Sequence, residues 1–341
     1  MAKVVFIDTD YKYGYHISKF PTFLETFKSF EDIQIPFNCF QIYIANSRGF
    51  SLAKFELNDL LQTNKFLKER EWYLCIHGSL LYNFCGAIDH KKNSKFDYLI
   101  GKYCSGLTRE LDVGAGLGAG VVIHPGSCKE KEKGLETIGK CMVYCLTCET
   151  PEIKALAKAK KIKVKEALKL RKVILENAAG EGTKLAVTLE EISKILSYIP
   201  KHLHDQVKVC IDTAHAFGAG LYKWGDPKEV KRFYSDFEKI IGLEYLEVFH
   251  LNDSRRSEKK SQNAPFGSRK DRHENLGLGY IFEGEGNEGL KEFFAQAKKR
   301  KIPIIGEPPG KTEDGNEGPR SVRDWDYVVE LLKDEEYPLE F

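Results

Sequence analysis

Tyr245-Leu-Glu-Val-Phe249 is an apolar, strand-like run that stops on a histidine, His250-Leu-Asn-Asp-Ser254, and this pattern recurs along the chain. Similar β-rich runs lie at Gly14–Ser18, Phe40–Ile44, Trp72–Ile76, Gly120–Ile123, Lys172–Leu175, Val207–Ile211 and Ile302–Ile305. Helix-length patterns separate them: 21–30, 58–69, 107–115, 133–148, 189–199, 227–241 and 290–300. Strands alternating with helices predict a closed parallel (β/α)8 TIM barrel. An open doubly wound sheet has the same alternation, but no glycine-rich phosphate loop follows the first strand. Val113-Gly-Ala-Gly-Leu-Gly-Ala-Gly120 precedes a strand, so it reads as a helix end and turn.

In such a barrel the residues just after each strand meet at one mouth. His77 follows the third strand, His124-Pro-Gly-Ser127 the fourth, Glu176 the fifth, Asp212-Thr-Ala-His215 the sixth, His250 the seventh and Glu307 the eighth. A single histidine or glutamate there is ordinarily a hydrogen-bonded or capping residue. Six consecutive strands ending in a metal-capable side chain are another matter. Downstream, Gly267-Ser-Arg-Lys-Asp-Arg-His273 adds Asp271 and His273, whose spacing points both the same way in an extended segment. Nine nitrogen and oxygen donors and no thiolate suit zinc or a related ion. At about three protein ligands per open site they suit three ions if one carboxylate bridges. A cluster of that charge calls for a strongly anionic substrate, and a phosphodiester fits.

The totals set limits. The 341 residues carry a formal charge of +2, with 42% hydrophobic residues, so nucleic-acid affinity must come from local patches. The nine cysteines form no regular framework; Cys145-Leu-Thr-Cys148 has no partner CxxC and reads as a reduced, buried pair. With no leader-like or membrane-spanning stretch, an intracellular, soluble, reducing setting is expected. The run 154–172 is lysine-rich with one acid, Glu166, and leads into the fifth strand. That places it as a solvated helix extension on the face opposite the active mouth.

The stretches Ile123–Ser127, Leu175-Glu-Asn-Ala-Ala-Gly-Glu-Gly-Thr183, Cys210–Gly220, His250–Ser254, Gly267–His273 and Ile304–Glu307 together resemble the endonuclease IV family of zinc-dependent apurinic/apyrimidinic (AP) endonucleases. The resemblance implies one xylose-isomerase-like barrel domain over 1–341, with insertions near 150–172 and 255–265. It implies three zinc ions: one on His77 and His124, sharing Glu176 with a second on Asp212, His250 and Glu307, and a third on His215, Asp271 and His273. Glu176, His124, His215 and Glu307 would stand nearest the chemistry, which is hydrolysis of the phosphodiester 5′ to an abasic site in double-stranded DNA, leaving a 3′-hydroxyl. Trimming of blocked 3′ ends is implied as a second activity. Arg48, Leu80, Leu81, Asn83, Arg269 and Arg272 are the expected DNA contacts, and a monomer is expected.

The sequence also departs from the family. Leu80 stands where a tyrosine is common, with Tyr82 nearby but facing the other way, and Glu181 stands where glutamine is common. Residues 255–265 read equally as phosphate contacts or a solvated loop; one of Leu80 and Leu81 reads equally as core. These departures suggest a divergent lineage of the kind found in large DNA viruses. The competing activity is a sugar isomerase or epimerase on the same barrel, which the Asp271/His273 donors and the basic loops oppose. A catalytically dead nucleic-acid-binding barrel would predict broken ligands, and none is broken.

Overall fold

Branched and aromatic residues at alternating positions favour pleated strands. In this computed structural model such runs form β1 Tyr13–Ile17, β2 Cys39–Ile42, β3 Tyr73–His77, β4 Gly120–Ile123, β5 Val173–Glu176, β6 Val207–Asp212, β7 Leu246–Leu251 and β10 Ile304–Gly306. Parallel pairing in the order β1-β10-β7-β6-β5-β4-β3-β2 closes the barrel, with Tyr13 opposite Ile304 at the seam. Around it lie α1 Phe23–Asp32, α2 Leu57–Glu69, α3 Asn93–Leu117, α4 Lys131–Thr147, α5 Pro151–Lys160, α6 Val164–Leu168, α7 Leu189–Ser197, α8 Thr213–Gly218, α9 Pro227–Ile240, α10 Gly286–Arg300 and α11 Arg320–Lys333. A short antiparallel pair, β8 Asp253–Ser254 and β9 His273–Glu274, stands beyond β7. The structure describes residues 11–18, 21–32, 37–45, 49–50, 52, 54–85, 93–284, 286–309 and 320–333.

Period-two alternation sorts the strand residues into two cores. Cys39, Cys75, Val122, Ile174, Cys210, Val248 and Ile305 form a plug inside the barrel. Their neighbours in sequence, among them Phe40, Ile76, Val121, Leu175, Ile211 and Phe249, pack outward against the helices. At the remaining plug position, Gly14 on β1, a Cβ would come within 1.8 Å of the Cys39 carbonyl oxygen, so only glycine lets β1 and β2 approach there.

Three sequence expectations need correction. α3 starts fourteen residues before the expected Leu107, running through Gly106. A Cβ at Gly106 would meet the Tyr82 hydroxyl at 2.9 Å, so this glycine is a packing contact within the helix. The helix ends at Gly118, inside the 113–120 stretch read as a helix end and turn, with a φ of +74° that favours glycine. Second, α8 and α11 lay outside the sequence reading. Third, the basic run is not wholly solvated. Its lysines 154, 158, 161, 163, 165 and 169 are exposed on α5, α6 and their connection, but Arg171 is fully buried, paired with Asp112 at 2.7 Å and donating to the Cys145 and Cys148 carbonyls. Lys172 pairs with Glu247.

Candidate metal centre

Two residues beyond each plug position the strands turn polar. The same inward face that carries Cys75, Val122, Ile174, Cys210, Val248 and Ile305 next carries His77, His124, Glu176, Asp212, His250 and Glu307. Apart from the half-buried His124 and Glu307 they are buried. Three sets of donors result. His77 Nε2 and His124 Nε2 lie 3.6 and 3.4 Å from Glu176 Oε2. Glu176, Asp212, His250 and Glu307 offer donor atoms within 4.8 Å of one another. His215 Nε2 and His273 Nε2 lie 3.2 and 3.4 Å from Asp271 Oδ1. Asp212 Oδ2 is also 3.5 Å from His273 Nε2, so this carboxylate faces both the second and third sets. The nine expected donors meet in one place.

Local structure explains the aim of each. The carboxylate of Asp212 caps α8, its Oδ1 accepting from the His215 backbone N–H at 2.8 Å, and so seats His215 one turn away. His77 Nδ1 donates to the Gly78 carbonyl and His215 Nδ1 to the Asn177 carbonyl, which leaves both Nε2 lone pairs facing the centre. Asn252 donates to Asp212 Oδ2 at 2.7 Å and to Glu307 Oε2 at 3.3 Å. Asp271 and His273 arrive by another route: β9 pairs with β8, and Glu181 Oε1 accepts from the Asp271 backbone N–H at 3.1 Å.

The electrostatics demand cations. Four carboxylates converge here, and His124 Nδ1, Glu176 Oε2, His215 Nε2 and His273 Nε2 are buried without a hydrogen-bond partner. Burial opposes charge on His215, yet Asp212 and Asp271 push its pKa up to about 10. Burial likewise opposes charge on Glu176, but His124 and His250 hold its carboxyl well below the usual range. His124 goes the other way, with burial lowering it to about 4. Lys184 reaches the rim, 3.8 Å from Asp271. Further in, the protein answers its carboxylates with protons on imidazoles, and divalent ions would replace them. The donor set therefore fits transition ions of the zinc type.

Above the centre opens a cavity of about 710 Å³, lined also by His16, Tyr43 and Leu80. Ser79 and Tyr82 close a tight turn, Tyr82 N–H to Ser79 O at 3.2 Å, that presents Leu80 and Leu81 at its tip. They are 44% and 43% exposed, so neither is core. Tyr82 points away, donating to Glu110 at 2.9 Å. Asn83, an expected DNA contact, spends its amide on Ser127: Oδ1 accepts from the Ser127 N–H at 2.9 Å and Nδ2 donates to Oγ at 3.2 Å. Arg269 is exposed, its backbone N–H donating to the Gly218 carbonyl at 2.8 Å, whereas Arg272 is half-buried, donating to the Asp271 carbonyl at 2.5 Å and lying 3.6 Å from Glu181. Arg48 lies outside the described residues. The 255–265 segment is fastened: Lys270 donates to the Lys260 and Asn263 carbonyls and Ser254 to the Ala264 carbonyl.

The sequence reading missed His16, Gln41, Asn177 and Asn252. His16 and Gln41 had a signal available, standing two residues beyond inward-facing Gly14 and Cys39. The asparagines had none, since an amide after a strand is uninformative until its partners are known.

A family model described as a xylose isomerase-like TIM barrel matches residues 33–334. "Apurinic-apyrimidinic endonuclease 1" of Schizosaccharomyces pombe is 29% identical over 260 residues, covering 76% of this chain; the chain spans 61% of that protein's length. "Probable endonuclease 4" of Thermosipho melanesiensis is 31% identical over 290 residues, covering 83% of this chain and 87% of that protein. The crystal structure of endonuclease IV from Thermus thermophilus shares the fold, with a TM-score of 0.68 at 23% identity over 95% of this chain and 99% of that one.

Proposed function

Because the chain belongs to the xylose isomerase-like TIM barrel family and, within it, to the endonuclease IV family, we propose that it is a DNA-repair AP endonuclease that hydrolyses the phosphodiester 5′ to abasic sites and leaves a 3′-hydroxyl. That family is metal-dependent, and this chain carries matching donor clusters. The carrying observation is the convergence of nine donors, four with a buried unpartnered atom, under a cavity open to a polymer.

We assign zinc to three sets: His77, His124 and Glu176; Glu176, Asp212, His250 and Glu307; and His215, Asp271 and His273. Divalent ions held there supply Lewis acidity toward the phosphate and toward an attacking water at neutral pH. The chain's own groups do the rest. Glu176 turns Oε2 toward His77 and His124 and Oε1 toward His250, so its carboxylate serves both the first and the second set and holds them side by side. His215 and Glu307 line the cavity that would receive the phosphate. Leu80 and Leu81 fill the gap where a base is missing, as an apolar wedge does between unstacked bases, while Arg48, Arg269 and Arg272 oppose the backbone charge. Trimming of blocked 3′ ends uses the same phosphodiester chemistry. Nine cysteines outside any disulfide suit a reducing, intracellular compartment.

The test is a duplex with one tetrahydrofuran abasic analogue. Zinc-loaded protein is expected to incise 5′ to the analogue, chelator-stripped protein not, and added zinc to restore the cut. Absence of incision by the metal-loaded chain, or interconversion of sugars in its place, would overturn the assignment.

A further inference from the structure

The eight strands offer eight inward positions at the level of the metal centre, one step above the plug. Six carry the donors already described. The other two are His16 on β1 and Gln41 on β2, each two residues beyond a plug position. A primary amide is a poor ligand for a transition ion, so its hydrogen bonds must say why it stands there.

Gln41 is fully buried. Its Nε2 donates to Glu307 Oε1 at 2.6 Å and to His16 Nδ1 at 3.3 Å. Its Oε1 accepts from His250 Nε2 at 2.8 Å and from the Cys75 thiol at 3.3 Å. Both N–H groups and both lone pairs are therefore engaged. Turning the amide over would set its carbonyl oxygen against the Glu307 carboxylate, so only one orientation is allowed. That orientation requires the proton of His250 on Nε2. The Nδ1 position then faces Glu176 Oε1 at 3.0 Å and Glu307 Oε2 at 3.4 Å, where a proton or, in its place, a metal ion must sit between them.

We propose that Gln41 is a positioning residue of the metal centre: it fixes the tautomer of His250 and the rotation of the Glu307 carboxylate, and so sets the affinity of the Glu176/Asp212/His250/Glu307 ion. This rests on the metal-centre reading above and extends it to a residue outside every ligand set. If Gln41 merely filled space, an apolar side chain of the same length would replace it without effect on metal.

The full chain is stripped with a chelator and titrated with zinc against a chromophoric competitor, then loaded with cobalt for visible absorption spectra. Gln41→Met removes every polar contact. One zinc equivalent is expected to weaken by about 10–100-fold, as for other groups that orient a ligand, with a changed cobalt spectrum and the remaining equivalents as in wild type. Gln41→Glu keeps the length and the acceptor for His250 but faces Glu307 with an oxygen; the same equivalent should weaken, and this variant carries the test should the methionine variant fail to fold. Wild-type zinc affinities and an unchanged cobalt spectrum in a folded variant would overturn the role of Gln41 and leave the enzyme assignment standing. A wild-type chain that binds no zinc would remove both.

Discussion

The plug and the ring above it are the same strands one pleat apart, yet they obey opposite rules. Cys75, Val122, Ile174, Cys210, Val248 and Ile305 pack their apolar surfaces together. Two residues further along, His77, His124, Glu176, Asp212, His250 and Glu307 bring charge into almost equal burial. The plug stabilises the fold by removing surface from water. The ring does the reverse, crowding carboxylates that only protons or metal ions can reconcile. Function is thus laid directly on the layer that makes the barrel rigid, which is how a scaffold holds ligands to within fractions of an ångström.

Four variants would break or sharpen that contrast. Glu176→Gln removes the carboxylate common to two ion sets, and incision at saturating substrate is expected to fall by about 10³-fold, or roughly 4 kcal/mol of barrier. Its thermal unfolding should stay near wild type; near-normal turnover would show that the ring is not catalytic. Ile174→Ala, two residues earlier on β5, should cost about 2–5 kcal/mol in denaturant unfolding while the folded fraction cuts at the wild-type rate. If its rate collapsed with stability intact, plug and ring would not be separable.

A smaller effect is expected at the rim. Replacing Leu80 and Leu81 together by alanine should leave unfolding within about 0.5 kcal/mol, because both are half-exposed. Preference for abasic over intact duplex, read from competition binding, should drop about tenfold, the value of burying that much leucine surface on DNA. Equal losses on both duplexes would mean the turn does not sense the missing base.

The last effect shows only as pH changes and concerns Glu110, a buried glutamate behind the same turn. Unlike Glu176 it has no cluster of imidazoles, and burial raises its pKa from 4.5 to about 7. Between those values the folded chain keeps a proton that the unfolded chain has lost, so wild-type stability falls as pH rises through the window. Glu110→Gln does not titrate. Its stability relative to wild type should grow as pH rises from 4.5 through 7, by about 3 kcal/mol in all, and then level off. A difference independent of pH would show that burial does not raise this carboxyl.

Legibility in the sequence followed chemistry more than position. His77, His124, His250, Glu176, Asp212 and Glu307 could be read because a metal-capable side chain ended each of six strands. His16 stood inside a recognised strand and was passed over, since its step of two from Gly14 has meaning only once the inward face is known. Gln41 was invisible for a different reason: amides do not ligate zinc, and its partners His250 and Glu307 lie more than 200 residues away. Arg171 reads as solvated in sequence because its partner Asp112 lies 59 residues upstream, in α3.

By itself the sequence determined the strand–helix alternation, and so the barrel, because hydrophobic period and turn chemistry are local properties of the chain. It also determined which residue types gather at the strand ends. Tertiary structure alone decided the tautomers, the rotamers and the partners of buried polar groups, because those depend on distances between strands that register and closure set.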